Sequence, residues 1–432
     1  MRKLITQGSV LLLLIIFGAA PTITAQVTTA TLSGKVSSQA DAKALSGATV
    51  LITFAEAGIK KTVPTQSDGS FLVPNLRVGG PYVVTVTYTG FQEKKEENIF
   101  LELGQNTALE LKMDPSSGTL TNVVVSGKSK VFDNQRTGAS TNISSRQLRS
   151  LPTISRSADD FTRLTPSASS TFNGTSFAGR NGQYNNYSLD GAVFNNPFGL
   201  DAPTPGGQTS SQPVSLDAID QIQVNIAPYD VTQAGFTGAG VNTVTKSGTN
   251  TFTGTVYGFY RNQNFTGDKV DGNKIVVPKL TQYQTGLAFG GALKKDKVFY
   301  FLNFETEKRD DAPTSFVAHN TGNVGKSNTS RVLQQDLDAV RSILKSKFGY
   351  ETGDYQGFTY TQKSYKWLAK IDWVINNNNN LSFTYNGLDA YKEKPAHPSA
   401  IGRRGPDFTT MQFRNSGYRI NNKLNSFGAE LK

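Results

Sequence analysis

The sequence predicts a mainly β protein: an N-terminal β-sandwich, a mixed α+β segment, then the first strands of a transmembrane antiparallel β-barrel, left incomplete. Three observations carry this. Short β-branched segments broken by turn residues fill Thr28 to Met113. Gly- and Asn-dense sequence with two short helical signals fills Ser144 to Gly254. From Phe252 onward, strands with one apolar and one polar face are joined by connections that are alternately short and long.

Whole-chain chemistry narrows the function classes. The 432 residues leave room for roughly two to four domains. There is no cysteine, so no disulfide framework and no thiolate metal site. Two histidines, His319 and His397, are little material for an imidazole-ligated metal, and no cofactor is expected. The net charge of +11 raises nucleic acid or anionic lipid as partners. The basic residues are spread along the chain, without a run interleaved with aromatics, so nucleic acid is not expected.

The opening "MRKLITQGSVLLLLIIFGAAPTITAQ" has Arg2 and Lys3, an apolar run from Val10 to Phe17, then small residues. This is the pattern of a secretory signal peptide cut after Ala25. The alternative, an N-terminal membrane anchor, has a short apolar core to work with. An exported protein is expected, either soluble or a β-type membrane protein.

Between Thr28 and Met113, five segments read as strands: "TLSGKV", "GATVLITF", "GSFLVPNL", "PYVVTVTYTGF" and "TALELKM". Asp68-Gly69 is a hairpin signal between two of them. With Phe71, Leu76, Gly80, Tyr82 and Gly90-Phe91, this stretch resembles the carboxypeptidase regulatory-like domain. The resemblance implies a prealbumin-like sandwich that is accessory and carries no peptidase chemistry.

A Pro/Gly/Ser linker, Asp114 to Thr121, leads to Asn122, Val123, Val124, Val125 and Ser126. Taken alone, "NVVVS" reads first as another sandwich strand. The second reading is an extended segment that pairs with a partner's exposed sheet edge.

In the middle segment, "SSRQLRSLP" offers a serine-capped helix ending at Pro152, and "SADDFTRLTP" a similar one ending at Pro166. Ile222, Val224 and Ile226 alternate with Gln221, Gln223 and Asn225, which predicts a half-buried strand; Val241 to Thr245 is a second. Four pieces stand out: Arg180 followed by Gly182, "YSLDG" ending in Asp190 and Gly191, "IDQIQV" from Ile219, and "GAGVNTVTKSGTNTFTG" from Gly238. Together they resemble the plug domain of TonB-dependent outer-membrane receptors. The "SLPTISRSADDFTRLTP" lead-in is similar to the Oar-like branch. A departure is Asn181, inserted where many members have Arg-Gly. The resemblance implies an α+β plug over 129–250 and gives "NVVVS" the place of the TonB box, the segment through which TonB energises transport.

Two catalytic lookalikes fall away. "GAGVNT" starts like a dinucleotide fingerprint, but Thr243 stands at the third glycine and no helix-forming run follows. "GTSFA" approaches a nucleophile elbow around Ser176, but Ala178 replaces the last glycine and no strand-turn-helix context surrounds it. An enzyme is not expected, and a peptidase carrying a regulatory domain lacks a visible catalytic set.

The C-terminal part carries the period-2 signal. In "YKWLAKIDWVI", Tyr365, Trp367, Ile371 and Trp373 take one face, while Lys366, Lys370 and Asp372 take the other. Val298, Tyr300, Leu302 and Phe304 oppose Asn303, Glu305, Glu307 and Arg309 in the same way. Apolar faces belong against lipid and charged faces against a wet lumen or a plug, because a lysine at the bilayer midplane costs about 2–4 kcal/mol. In the longest connection, Val332, Leu337, Val340 and Leu344 predict a helix, with Ser330 as its cap and Gly349 as its stop. Six candidate strands after Phe252 are too few to enclose a plug, since plugged transporters have about 22 strands. The expectation is the N-terminal part of an outer-membrane receptor. Its implied partners are TonB, membrane lipid and an unidentified extracellular ligand. A secreted β-sandwich adhesin or binding protein is the alternative.

Overall fold

Alternating side chains and β-branched runs produce strands throughout. The computed structural model describes residues 27–116, 139–171, 174–196, 203–226, 228, 233, 235–396 and 406–432. The expected signal peptide and the Asn122–Ser126 segment lie outside them. No helix among the described residues is long and apolar enough to cross a membrane.

The first unit has seven strands, two more than expected: β1 (Thr29–Ser38), β2 (Thr49–Phe54), β3 (Ile59–Pro64), β4 (Ser70–Arg77), β5 (Gly79–Thr87), β6 (Lys94–Leu101) and β7 (Asn106–Met113). The additional strands β3 and β6 are rich in lysine and glutamate and flank the second sheet. Charge on an edge strand discourages pairing with a foreign edge. The sheets β4-β1-β7 and β3-β2-β5-β6 close on a core that includes Leu32, Val36, Ile52, Phe71 and Val84. Asp68 accepts from the amide and hydroxyl of Ser70, which tightens the turn into β4.

The second unit contains β8 (Ala139–Ile143), α1 (Ser145–Ser150), α2 (Asp159–Thr162), β9 (Ala168–Thr171), β10 (Gly174–Phe177), β11 (Asn186–Leu189), β12 (Ala192–Val193), β13 (Ile219–Ile226) and β14 (Ala239–Thr245). Ser144 and Gln147 form a capping box that starts α1. The main sheet runs β12-β11-β14-β13-β8, with β8 at its edge. Strand β13 departs from expectation: both of its faces are buried. The amide face docks on the sandwich. Gln221 accepts from the Leu103 amide at 2.8 Å and donates to the Leu101 carbonyl at 3.1 Å. Gln223 donates to the Leu103 carbonyl at 2.7 Å. The turn between β6 and β7 thus has its buried backbone groups satisfied by plug side chains. Gly104, at φ +63°, is needed there, because a Cβ would stand 2.7 Å from the Gln223 amide.

The third unit is a six-stranded antiparallel wall, ordered β15-β18-β19-β22-β23-β24. Its strands are β15 (Thr253–Asn262), β18 (Leu280–Lys294), β19 (Val298–Asp311), β22 (Tyr360–Val374), β23 (Asn380–Lys394) and β24 (Tyr418–Leu431). Connections 295–297 and 375–379 are short and lie at one end; 263–279, 312–359 and 395–417 are long and lie at the other. We call these the turn end and the loop end. Five of the strands have 14 or 15 residues, longer than the roughly 9–11 that hydrocarbon alone requires. The Asn376–Asn380 run makes a turn in which the Asn376 side chain accepts from the amides of Asn378 and Asn379 at 2.9 Å. Outward residues are apolar and exposed, from Val256 at 87% and Phe427 at 80% to Ile371 at 44%. Inward residues such as Lys366, Leu368 and Lys370 are buried.

The loops hold small elements: β16 (Lys269–Val270), β17 (Asn273–Lys274), β20 (Val317–His319), β21 (Thr329–Leu333) and α3 (Gln334–Phe348). Gly349, left-handed at φ 65°, ends α3 as expected. Ser330 does not cap it. Strand β21 runs on to Leu333, and the Ser330 hydroxyl donates instead to the Phe408 carbonyl at 2.9 Å. Leu337 packs with Ala318 and Tyr355, while Val340 and Ile343 stay exposed.

Replacing Gln221 by alanine strands the Leu103 amide and the Leu101 carbonyl, at about 1–3 kcal/mol each. Hydrogen exchange at Leu103 should accelerate at least about tenfold, with β1 and β4 unchanged. An unaltered Leu103 rate would show that these contacts do not hold the sandwich to the plug.

Candidate functional site

The plug meets the wall through buried charge. In "YSLDG", Leu189 pairs with Ala192, which leaves Asp190 and Gly191 as a two-residue loop. Their φ values of 45° and 81° are those an Asp-Gly primed turn accepts. The turn aims the Asp190 carboxylate at β14, where it accepts from the Thr245 amide at 2.8 Å and hydroxyl at 2.6 Å. From β22, Lys370 reaches Asp190 at 3.4 Å and donates to the Thr245 hydroxyl at 3.1 Å. Thr384 of β23 donates to the same carboxylate at 3.4 Å.

A second cluster sits nearer the loop end. Glu305 and Lys366 stand directly opposite each other on β19 and β22, 2.7 Å apart. The remaining oxygen of Glu305 accepts from Tyr257 of β15 at 2.7 Å and from Ser215 of the plug at 2.8 Å. Glu305 is wholly buried, so each bond is formed out of water, where an unpaired charge would be costly. Beside it, Arg156 of the plug pairs with Asp217 and lays its guanidinium 3.8 Å above the Phe259 ring. Apolar contact includes Ala288, Phe301 and Leu368, which join the plug core, and Leu388, which packs against the plug at Gly206.

Above these clusters, between plug and wall, opens a crevice of about 510 Å³. Asp159 lines it, and burial together with neighbouring Asp160 pushes its pKa up to about 6, against the opposing hydrogen bond from Gln212. At the turn end, sandwich, plug and wall converge on a small cavity of about 80 Å³ lined by Arg77, Asp220 and Lys370. Burial raises the Asp220 carboxyl above its usual range, and Arg77 and Lys246 oppose the shift. Gly248 lets the chain leaving the plug press against the β18–β19 ladder, since a Cβ would lie 2.3 Å from the Tyr300 carbonyl.

Of the residues singled out in the sequence, Asp190 and Gly191 lie at the plug–wall contact. Arg180 and Gly182 do not. Arg180 is exposed and closes a tight turn on Phe177, while Asn181 caps the short helical turn from Gly182 to Tyr184. That gives the inserted asparagine a local role. Ser176 donates its hydroxyl to the Arg180 carbonyl, so it is engaged in a turn. Among the described residues, no group of three or more His, Asp or Glu is arranged to hold a metal. Sequence reasoning missed Ser215, Arg156 and Thr245, which lie in turn-rich stretches or at a strand end.

Comparison with known proteins agrees with this layout. Residues 31–114 match the carboxypeptidase regulatory-like domain, and residues 244–424 match an outer membrane beta barrel domain. Fold and matches together give an accessory sandwich followed by strands of an outer-membrane β-barrel, and the chain is similar to TonB-dependent outer-membrane transporters. Among curated relatives, the chain is similar to one such transporter. It is 23% identical over 354 residues to the TonB-dependent transporter Oar of Myxococcus xanthus. That match covers 76% of this chain but only 30% of the relative. Among solved structures, it is similar to the outer membrane transporter YddB from Escherichia coli, with 13% identity, 68% of this chain and 36% of that one covered, and TM-score 0.45. The siderophore receptor PirA from Acinetobacter baumannii gives 17% identity, 59% and 32% coverage, and TM-score 0.39.

Lys366→Met should destabilise the protein by about 3–5 kcal/mol, because it leaves Glu305 charged and buried. Adding Glu305→Gln should recover part of that loss in urea titrations; no recovery would remove the pair from this role. Asp159 is a separate, pH-dependent matter. A carboxyl with a raised folded pKa contributes stability below the unfolded value near 4, and loses it as pH rises through about 6. Asp159→Asn should therefore flatten the stability profile between pH 4 and 6, by on the order of 2–3 kcal/mol. Parallel profiles for the two proteins would contradict the shift.

Proposed function

We propose that the complete protein takes up a large ligand across the outer membrane into the periplasm, using energy that TonB passes from the inner membrane. The observation that supports this most is the polar seat of the plug. Ion pairs and hydrogen bonds at Asp190–Lys370 and Ser215–Glu305 can exchange for water when the lumen opens, which a continuous apolar interface would resist. A plug that must leave its place and return is better held this way.

Short turns belong in the periplasm and long loops outside. The sandwich contacts the turn end, where Asn250 links Ala55 and Asp296 at 2.7 Å each, so it belongs to the periplasmic side. In this scheme the chain divides into a signal peptide at 1–25, the sandwich at 26–113, a linker with the TonB box at 114–128, the plug at 129–250 and the barrel from 251. Asn122, Val123, Val124, Val125 and Ser126 supply backbone for pairing with TonB. Arg180, Gly182, Asp190 and Gly191 shape the plug turns. Lipid covers the outward face, an extracellular ligand meets the loop end, and nucleic acid is no partner. The relative named as a transporter supports a non-enzymatic role.

Deleting Asn122 to Ser126 from the complete protein should leave ligand binding to whole cells intact and abolish uptake. Unchanged uptake would remove the box assignment. Recovery of the native protein from culture supernatant, and not from outer membranes, would favour a secreted adhesin.

A further inference from the structure

We infer that the crevice at the loop end is built for a multiply anionic ligand, one carrying at least two carboxylate or phosphate groups. This rests on the receptor reading above and narrows its ligand. The strand register lays one row of inward side chains across five wall strands. Arg261 stands opposite Gln282, Gln282 opposite Arg309, Arg309 opposite Gln362, and Gln362 opposite Lys392. Cations alternate with carboxamides. Neighbouring strands lie about 4.8 Å apart, so successive cations spring from backbones about 10 Å apart. All five side chains line the crevice.

The charge balance there is one-sided. Six Lys or Arg residues line the crevice; with Lys366 paired to Glu305 and Arg156 to Asp217, four of them remain against two acids, Asp159 and Glu307. Both acids are already engaged: Gln282 donates to Glu307 at 2.7 Å, and Gln212 donates to Asp159. Some cations have partners too. Arg309 approaches Asp311 at 3.4 Å, and Lys392 donates to Ser210 of the plug at 2.7 Å. Arg261, half-buried, has no hydrogen bond or ion pair among the described residues.

Like charges directly opposite each other destabilise a sheet. The intervening glutamines keep the cations from facing one another while preserving a donor at every position of the row. A surplus of cations in a walled, partly desolvated cleft focuses positive potential and draws anions in. Carboxamides between guanidinium groups add neutral hydrogen bonds to the parts of the ligand between its charges. Two or more anionic groups then engage the row at once.

The test uses the complete protein purified from outer membranes in detergent. Citrate and inorganic pyrophosphate are the anionic probes, and trimethyl citrate is the neutral control, all measured by equilibrium dialysis. At least one anion should bind about tenfold or more tighter than the ester, and Arg261→Gln/Lys392→Gln should remove that preference. Citrate alone binding would assign carboxylates; pyrophosphate alone would assign phosphates. A second readout does not depend on either probe fitting. These 432 residues contain no cysteine, so once any cysteine in the remainder of the protein is replaced by serine, a fluorophore on Gln208→Cys reports the crevice. Iodide should quench it more strongly than caesium, and the double variant should equalise the two. If the double variant fails to assemble, quenching of the otherwise unchanged protein decides. Equal quenching by iodide and caesium overturns the proposal, as does anion binding that the double variant leaves intact. A protein that fractionates with the outer membrane but shows no anion preference refutes this inference alone. Recovery from the culture supernatant refutes the receptor reading beneath it.

Discussion

A backbone that crosses hydrocarbon must pair its N–H and C=O groups with a neighbouring strand, because no water is there to take them. The wall meets this demand with long ladders. Between β19 and β22 the register runs without a shift from Val298–Trp373 to Asp311–Tyr360. Once strands are chosen, period two sorts the side chains. What faces lipid is apolar, and polar side chains must go inside. The charged interior of the wall follows from the membrane before any ligand is considered.

That interior then dictates how the plug is held. Glu305, Lys366 and Lys370 are buried and need partners, and the plug provides Ser215, Asp190 and Thr245. A buried ion pair is weak as a source of stability, because desolvation offsets most of its attraction, yet leaving one partner alone is expensive. The plug therefore has one well-defined seat without being strongly glued to it. The amides of Gln221 and Gln223 apply the same logic to the sandwich: they specify where it sits by completing its backbone hydrogen bonds.

Much of the wall was legible because burial on one face imposes strict alternation. Lys366, Lys370 and Asp372 declared themselves inward simply by sharing a strand with Trp367, Ile371 and Trp373. Their partners were not legible. Strands β19 and β22 are separated by 312–359, and a connection of that length sets no register, so the Glu305–Lys366 pair could not be read off. Ser215 and Arg156 sit in irregular sequence without a period. The polar side of β13 looked solvent-facing because amide side chains usually are; the sandwich turn covers it instead. Ser330 fits a helix cap by residue type, but the strand before α3 ran further than the apolar spacing suggested.

The position of β8 has a mechanical consequence. It is five residues long, it lies at the edge of the plug sheet, and it is the first described element after the stretch joining sandwich to plug. Tension entering through that stretch falls on β8 before any other strand of the sheet. An edge strand with a single neighbour can be peeled away while β13 and β14 stay zipped, so the sheet has a built-in weak seam that any pull through that stretch would meet first.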